Sequence, residues 1–166
     1  MMEPPLMDAN VFPSLFLFHD LHPKHVNLLQ PLFISCEFTA DAVLFEQGDP
    51  AENIFAVVSG EVVVNFKPDD GPIIVVARVH PGSIVGWSAA LGSRLYTSSA
   101  VCTTYTELLR VRGDDLRRLC LQHPDTGTVF LDRLATVIAE RLHSTHDMVL
   151  SLLQLGLTTT LEPSRG

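Results

Sequence analysis

The spacing of apolar positions changes three times along this chain. Near the start the signals are helical. His22 stands in a capping position before Pro23, whose ring suits a first turn, and Pro31 stops the run, so a short helix is expected over Pro23 to about Gln30. From Ser35 to Arg112 the apolar runs become short. They are punctuated by Gly48-Asp49-Pro50, Ser59-Gly60, Pro68-Asp69-Asp70-Gly71 and His80-Pro81-Gly82. That rhythm predicts antiparallel strands in a barrel or sandwich. In "GEVVVNFK" the alternation predicts Val62, Val64 and Phe66 facing the core and Glu61, Asn65 and Lys67 facing away.

After Arg112 the period is helical again. Asp114 or Asp115 is expected to cap "LRRLCLQ", and Pro124 with Asp125 to open a much longer helix reaching about Leu155. Within it Leu131, Ala135, Ile138, Leu142, Thr145, Val149 and Leu152 recur at alternating spacings of 4 and 3, the seam of a coiled coil. Such a stripe serves either a second copy or the strands of its own chain. Because it outlasts what one small barrel covers, a homodimer or a larger protein partner is expected. The segment "GLTTTLEPSRG" has no periodicity and reads as a disordered tail. The expected organisation is an N-terminal tail (1–14), one domain (15–155) and a C-terminal tail (156–166).

With 166 residues the chain can bury roughly 70% of its unfolded surface, enough for one core. Eleven Lys and Arg against nineteen Asp and Glu give a net charge of −8, with no basic stripe. On that ground neither direct nucleic-acid binding nor adhesion to an anionic membrane is expected. The eleven residues after Leu155 are also too few for a helix-turn-helix, unless this chain is a fragment of a longer one. Glu3 and Asp8 stand where a signal peptide would carry lysines, and no apolar run approaches the about 20 residues of a membrane span. Cys36, Cys102 and Cys120 are scattered and odd in number, which fits free thiols in a reducing compartment. The expected location is the cytoplasm.

One stretch carries candidate chemistry. "PGSIVGWSAALGSRLYTSSA" holds three glycines, the only tryptophan and a run of hydroxyls. A glycine lets backbone approach a ligand, and a first helical turn exposes N–H groups that attract anions. Gly86 to Ala90 are therefore candidate anion donors. The order of short helix, strands and two helices resembles the cyclic-nucleotide-binding domain shared by the catabolite activator protein and protein kinase A regulatory subunits. "VLFEQGDPAENIFAVVSGEVVV" looks like that family's second to fourth strands, with Gly48 and Gly60 at turn glycines, and "VGWSAAL" resembles a bacterial branch with Gly-Trp-Ser-Ala in its phosphate loop.

That resemblance implies a jelly-roll of eight strands, flanked by a short N-terminal and a long C-terminal helix, that binds cyclic AMP or cyclic GMP. It also implies a glutamate for the ribose just after the loop glycine and an arginine for the phosphate ten residues on. Counted without gaps from Gly86, those positions hold Trp87 and Tyr96. Neither carries charge, so binding is expected to be weak or altered. The ligand-binding set is Val85, Gly86, Trp87, Ser88, Ala89, Ala90, Arg94, Tyr96, Thr97 and Ser98, with Arg94 reaching from the loop tip. Trp87 either stacks on a flat ligand or fills the space a ligand would take. The first option makes the chain a regulatory ligand sensor; the alternative is a ligand-free dimerisation or assembly module. No catalytic residues and no cofactor are expected. His19, His22 and His25 are interrupted by Pro23, and only His80 lies among the strands, which argues against a metal site and against cupin-type catalysis.

Overall fold

The computed structural model describes residues 15–90, 92 and 94–161. The expected N-terminal tail, together with residues 162–166, lies outside the described residues. Helix α1 (Pro23–Leu29) starts where proline permits: Lys24 N donates to His22 Nδ1 at 3.2 Å, satisfying one donor the first turn leaves open. Pro31 then sits in a 3₁₀ turn, Gln30–Leu32, that ends the helix.

Eight strands follow: β1 (Ile34–Phe38), β2 (Val43–Phe45), β3 (Asn53–Ser59), β4 (Val62–Phe66), β5 (Ile74–Val79), β6 (Ile84–Val85), β7 (Ser99–Cys102) and β8 (Thr106–Arg112). They form two antiparallel four-stranded sheets, β1-β8-β3-β6 and β2-β7-β4-β5. The jelly-roll therefore consists of two open sheets rather than a closed barrel. Between them lies a core of Phe45, Phe55, Val57, Val62, Val64, Val85, Ala100, Cys102 and Leu108. The other face of the first sheet, through Ile54, Ala56, Ile84, Leu109 and Val111, packs against the helices. Burial on both faces explains why "IFAVV" in β3 is continuously apolar instead of alternating. Val62 and Val64 face the core as expected, but Phe66 is exposed. It pairs with Ile74 beyond the last residue of β4 that β7 reaches, past a register shift at Val64/Asn65, so no opposing sheet covers it.

Helix α2 (Gly113–Gln122) has Arg112 at its cap position without a side-chain bond. Asp114 and Asp115 sit inside the first turn, where they complement the helix dipole instead of capping it. Helix α3 (Pro124–Leu161) opens at Pro124 as expected but runs past Leu155, so residues 156–161 are helical. Nothing before Pro163 removes a backbone donor, so the helix carries through Gly156. Its row Phe130, Leu134, Val137 is buried in the helix-side core. The predicted seam is the adjacent row: Leu131, Ala135 and Leu142 are exposed and Ile138 is half-buried. Thr145, Val149 and Leu152 lie outside the residues whose side chains are described. Among the described residues no helix is long and apolar enough to cross a membrane.

Candidate functional site

Strand β6 ends at Val85, and Gly86 then turns the chain into a 3₁₀ turn, Trp87–Ala89. Gly86 has φ of 83°, and a Cβ there would stand 2.8 Å from Asn53 O. Both facts call for glycine. The N–H groups of Ala89 and Ala90 donate to Gly86 O at 3.1 Å and Trp87 O at 2.9 Å. These two expected anion donors are thus engaged within the turn. Arg117 of α2 donates to Ala89 O at 2.7 Å, holding the end of the turn to the helix pair.

Tyr96 lies across the turn from Gly86 and is only 5% exposed. Its ring stacks on Phe45 with centroids 3.8 Å apart. Its hydroxyl donates to Asn53 O at 2.6 Å and accepts from Asn53 N at 3.0 Å. Burial pushes its pKa above the usual tyrosine range, so it stays a neutral phenol.

From α3, Arg141 continues the buried row of Phe130, Leu134 and Val137 by one more turn. Its guanidinium carbon lies 4.4 Å from the centre of the Trp87 ring, within cation–π range, and it donates to Ile84 O. Burial pulls its pKa down to about 10, which leaves it charged at neutral pH. Phe45, Val64, Gly86, Trp87, Ser88, Tyr96, Thr97, Ser98 and Arg141 line one cleft of about 50 Å³. That holds a water or two, against the roughly 300–1,000 Å³ of a small-molecule pocket.

Six of the ten expected site residues meet in this cleft: Gly86, Trp87, Ser88, Tyr96, Thr97 and Ser98. The other four do not line it. Val85 is buried between the sheets, Ala89 is packed in the helix-side core, Ala90 lines a separate groove against α2 and α3, and Arg94 is exposed at the surface. Arg94 stays outside because its backbone oxygen accepts from Ala51 N, pairing this segment with the chain around Pro50. Phe45, Val64 and Arg141 were missed. The two apolar residues follow from the inward alternation of β2 and β4. Arg141 shows in the sequence only as a charge on the helical row that Val137 continues.

The three clustered histidines each have a hydrogen-bond or charge partner outside the cluster, although the rings of His22 and His25 also meet edge to face at 6.3 Å. His22 caps α1, His19 lies 3.3 Å from Asp20, and buried His25 shares a 2.7 Å hydrogen bond with Thr126.

A sequence model described as the cyclic nucleotide-binding domain matches residues 35–123, more than half of the chain. The chain belongs to the cyclic nucleotide-binding domain family. The Cyclic AMP receptor protein of Thermus thermophilus is 30% identical over 137 residues, covering 82% of this chain and 61% of that protein. The cAMP-activated global transcriptional regulator CRP of Salmonella typhimurium is 26% identical over 74% of this chain and 57% of its own length. The chain thus spans about three fifths of these relatives. The solved Thermus thermophilus Catabolite Activator Protein superposes with a TM-score of 0.66 at 29% identity, covering 84% of this chain and 63% of that one.

These relatives overturn one expectation. The net charge of −8 predicts no direct contact with nucleic acid, yet similar chains are transcriptional regulators. Net charge over this stretch therefore excludes no such role, because it describes only the part that is shared. A solved cAMP-binding acyltransferase from Mycobacterium smegmatis is also similar, 27% identical with a TM-score of 0.65 over 80% of this chain and 40% of that one.

Proposed function

We propose that this cyclic nucleotide-binding domain is a non-enzymatic regulatory sensor whose ligand enters the cleft behind Gly86 and whose output is carried by α3. The observation that carries the reading is the placement of Arg141. One α3 side chain lies on the Trp87 ring and bonds β6 through Ile84 O, so a ligand that widens the cleft has to displace a contact that α3 supplies. A ligand that binds only the widened form shifts the balance between the two by its differential affinity. Relatives named for cyclic AMP support a cyclic nucleotide, cyclic AMP or cyclic GMP, as the ligand class. The uncharged Trp87 and Tyr96 make its binding weak. The outward row Leu131, Ala135, Leu142 supports a second copy of the chain on α3, and free thiols support a cytoplasmic site.

One observation favours a second reading. The cleft holds about 50 Å³ because Trp87, Tyr96 and Arg141 already fill it. In that reading Trp87 is a permanent plug and the domain is a ligand-free assembly module. Calorimetric titration with cyclic AMP and cyclic GMP, alongside thermal melting, separates the two. Saturable heat and a raised melting temperature support the sensor; no heat and no shift at millimolar nucleotide leave the assembly module.

A further inference from the structure

The described residues lining the cleft comprise one cation, three side-chain hydroxyls from Ser88, Thr97 and Ser98, the Tyr96 phenol, and no carboxylate. Hydroxyls orient an anion but cannot neutralise it. A phosphate drawn into this space meets a single positive charge, and that charge comes from α3 and not from the loop.

We propose that Arg141 is the anion-pairing residue of this cleft, taking the phosphate of its ligand from the helix side while Ser88, Thr97 and Ser98 orient it. The proposal rests on the sensor reading above and adds the residue that grips the charge. In the present state the guanidinium donates to the neutral carbonyl of Ile84 and covers the face of Trp87. Exchanging that carbonyl for a phosphate oxygen replaces a neutral acceptor with an ionised one, so the guanidinium gains an opposite charge and a partner its planar fork can take bidentately. It also frees the face of Trp87 for a flat ring. Ligand charge is then read directly by the signalling helix, since the residue that binds it belongs to α3.

The test uses the full chain and three proteins: wild type, Arg141→Lys and Arg141→Gln. Each is titrated by calorimetry with cyclic AMP, cyclic GMP and inorganic phosphate, after circular dichroism has matched their folds. Wild type is expected to bind nucleotide, Arg141→Lys to stay within a few-fold, and Arg141→Gln to weaken by at least about tenfold. Equal nucleotide affinity in wild type and Arg141→Gln overturns the role of Arg141 and leaves the sensor standing. Phosphate binding that needs Arg141, without any nucleotide binding, keeps the residue's role and overturns the nucleotide sensor. Silence toward all three probes overturns both. If Arg141→Gln fails to fold, the Arg141→Lys comparison decides alone: the charge-based role requires retained binding, and its loss counts against that role.

Discussion

The Tyr96 hydroxyl grips both backbone groups of Asn53, donating to its oxygen at 2.6 Å and accepting from its N–H at 3.0 Å. One side chain thereby ties the far wall of the cleft to the start of β3. Tyr96→Phe keeps the stack on Phe45 but strands both groups. The expected loss is about 1–3 kcal/mol of folding stability, read from the midpoint of urea unfolding at constant slope. An unchanged midpoint would show that water replaces the hydroxyl at no cost.

Gly86→Ala is expected to cost about 1–3 kcal/mol, because its φ of 83° is held by the surrounding turn and the new methyl would meet Asn53 O at 2.8 Å. Thermal melting checks this, with a fall of several degrees expected. Gly82→Ala is the control. It has a comparable φ of 93° but nothing within 4 Å, so it should lose less.

The outward stripe of α3 gives a test of assembly. Leu142 is 53% exposed in the single chain, so Leu142→Glu should leave the domain folded. If the stripe pairs two copies, the buried uncompensated charge costs about 3–5 kcal/mol and raises the dimer dissociation constant more than a hundredfold. Sedimentation of both proteins reads this, and a monomeric wild type would refute the pairing.

Glu61 accepts from Thr103 Oγ1 at 2.8 Å, from His80 at 3.0 Å and from Arg78 at 3.1 Å. The Thr103 hydrogen bond, followed by those from His80 and Arg78, holds its carboxyl below the usual glutamate range. A carboxyl depressed in the folded state contributes stability above its unfolded value of about 4.3, and that contribution is lost as the pH falls through the folded value. Melting temperatures of wild type and Glu61→Gln should therefore differ at neutral pH and converge as the pH falls below the unfolded value and through the lower folded one. Parallel curves would contradict this.

The parts of this molecule differ in how far local sequence reveals them. Strand boundaries were legible because turn residues such as Gly48-Asp49-Pro50 and Pro68-Asp69-Asp70-Gly71 mark backbone that cannot continue a ladder. Closure into a barrel was not, since it depends on whether distant edges such as β6 and β5 meet. Gly86, Trp87 and Ser88 stood out because one loop carries them, and Tyr96 to Ser98 because the chain returns soon after. Arg141 had no such signal. It comes from a helix more than forty positions downstream, and only the packing of Phe130, Leu134 and Val137 on the first sheet aims it at Trp87. The seam was legible as a period but not as a side: two neighbouring rows share the same spacing, and three-dimensional contact decides which one is covered.

The pairing of β1 with β8 bears on how the chain is made. Strand β1 has no other partner in its sheet, and β8 is the last of the described strands to leave the ribosome. The first sheet cannot close, nor the helix-side core assemble on it, until nearly all strands have been synthesised. Until then β3 and its apolar side chains wait without β8 beside them, so a chain that stops short of β8 leaves β1 without its partner and β3 open along one whole edge.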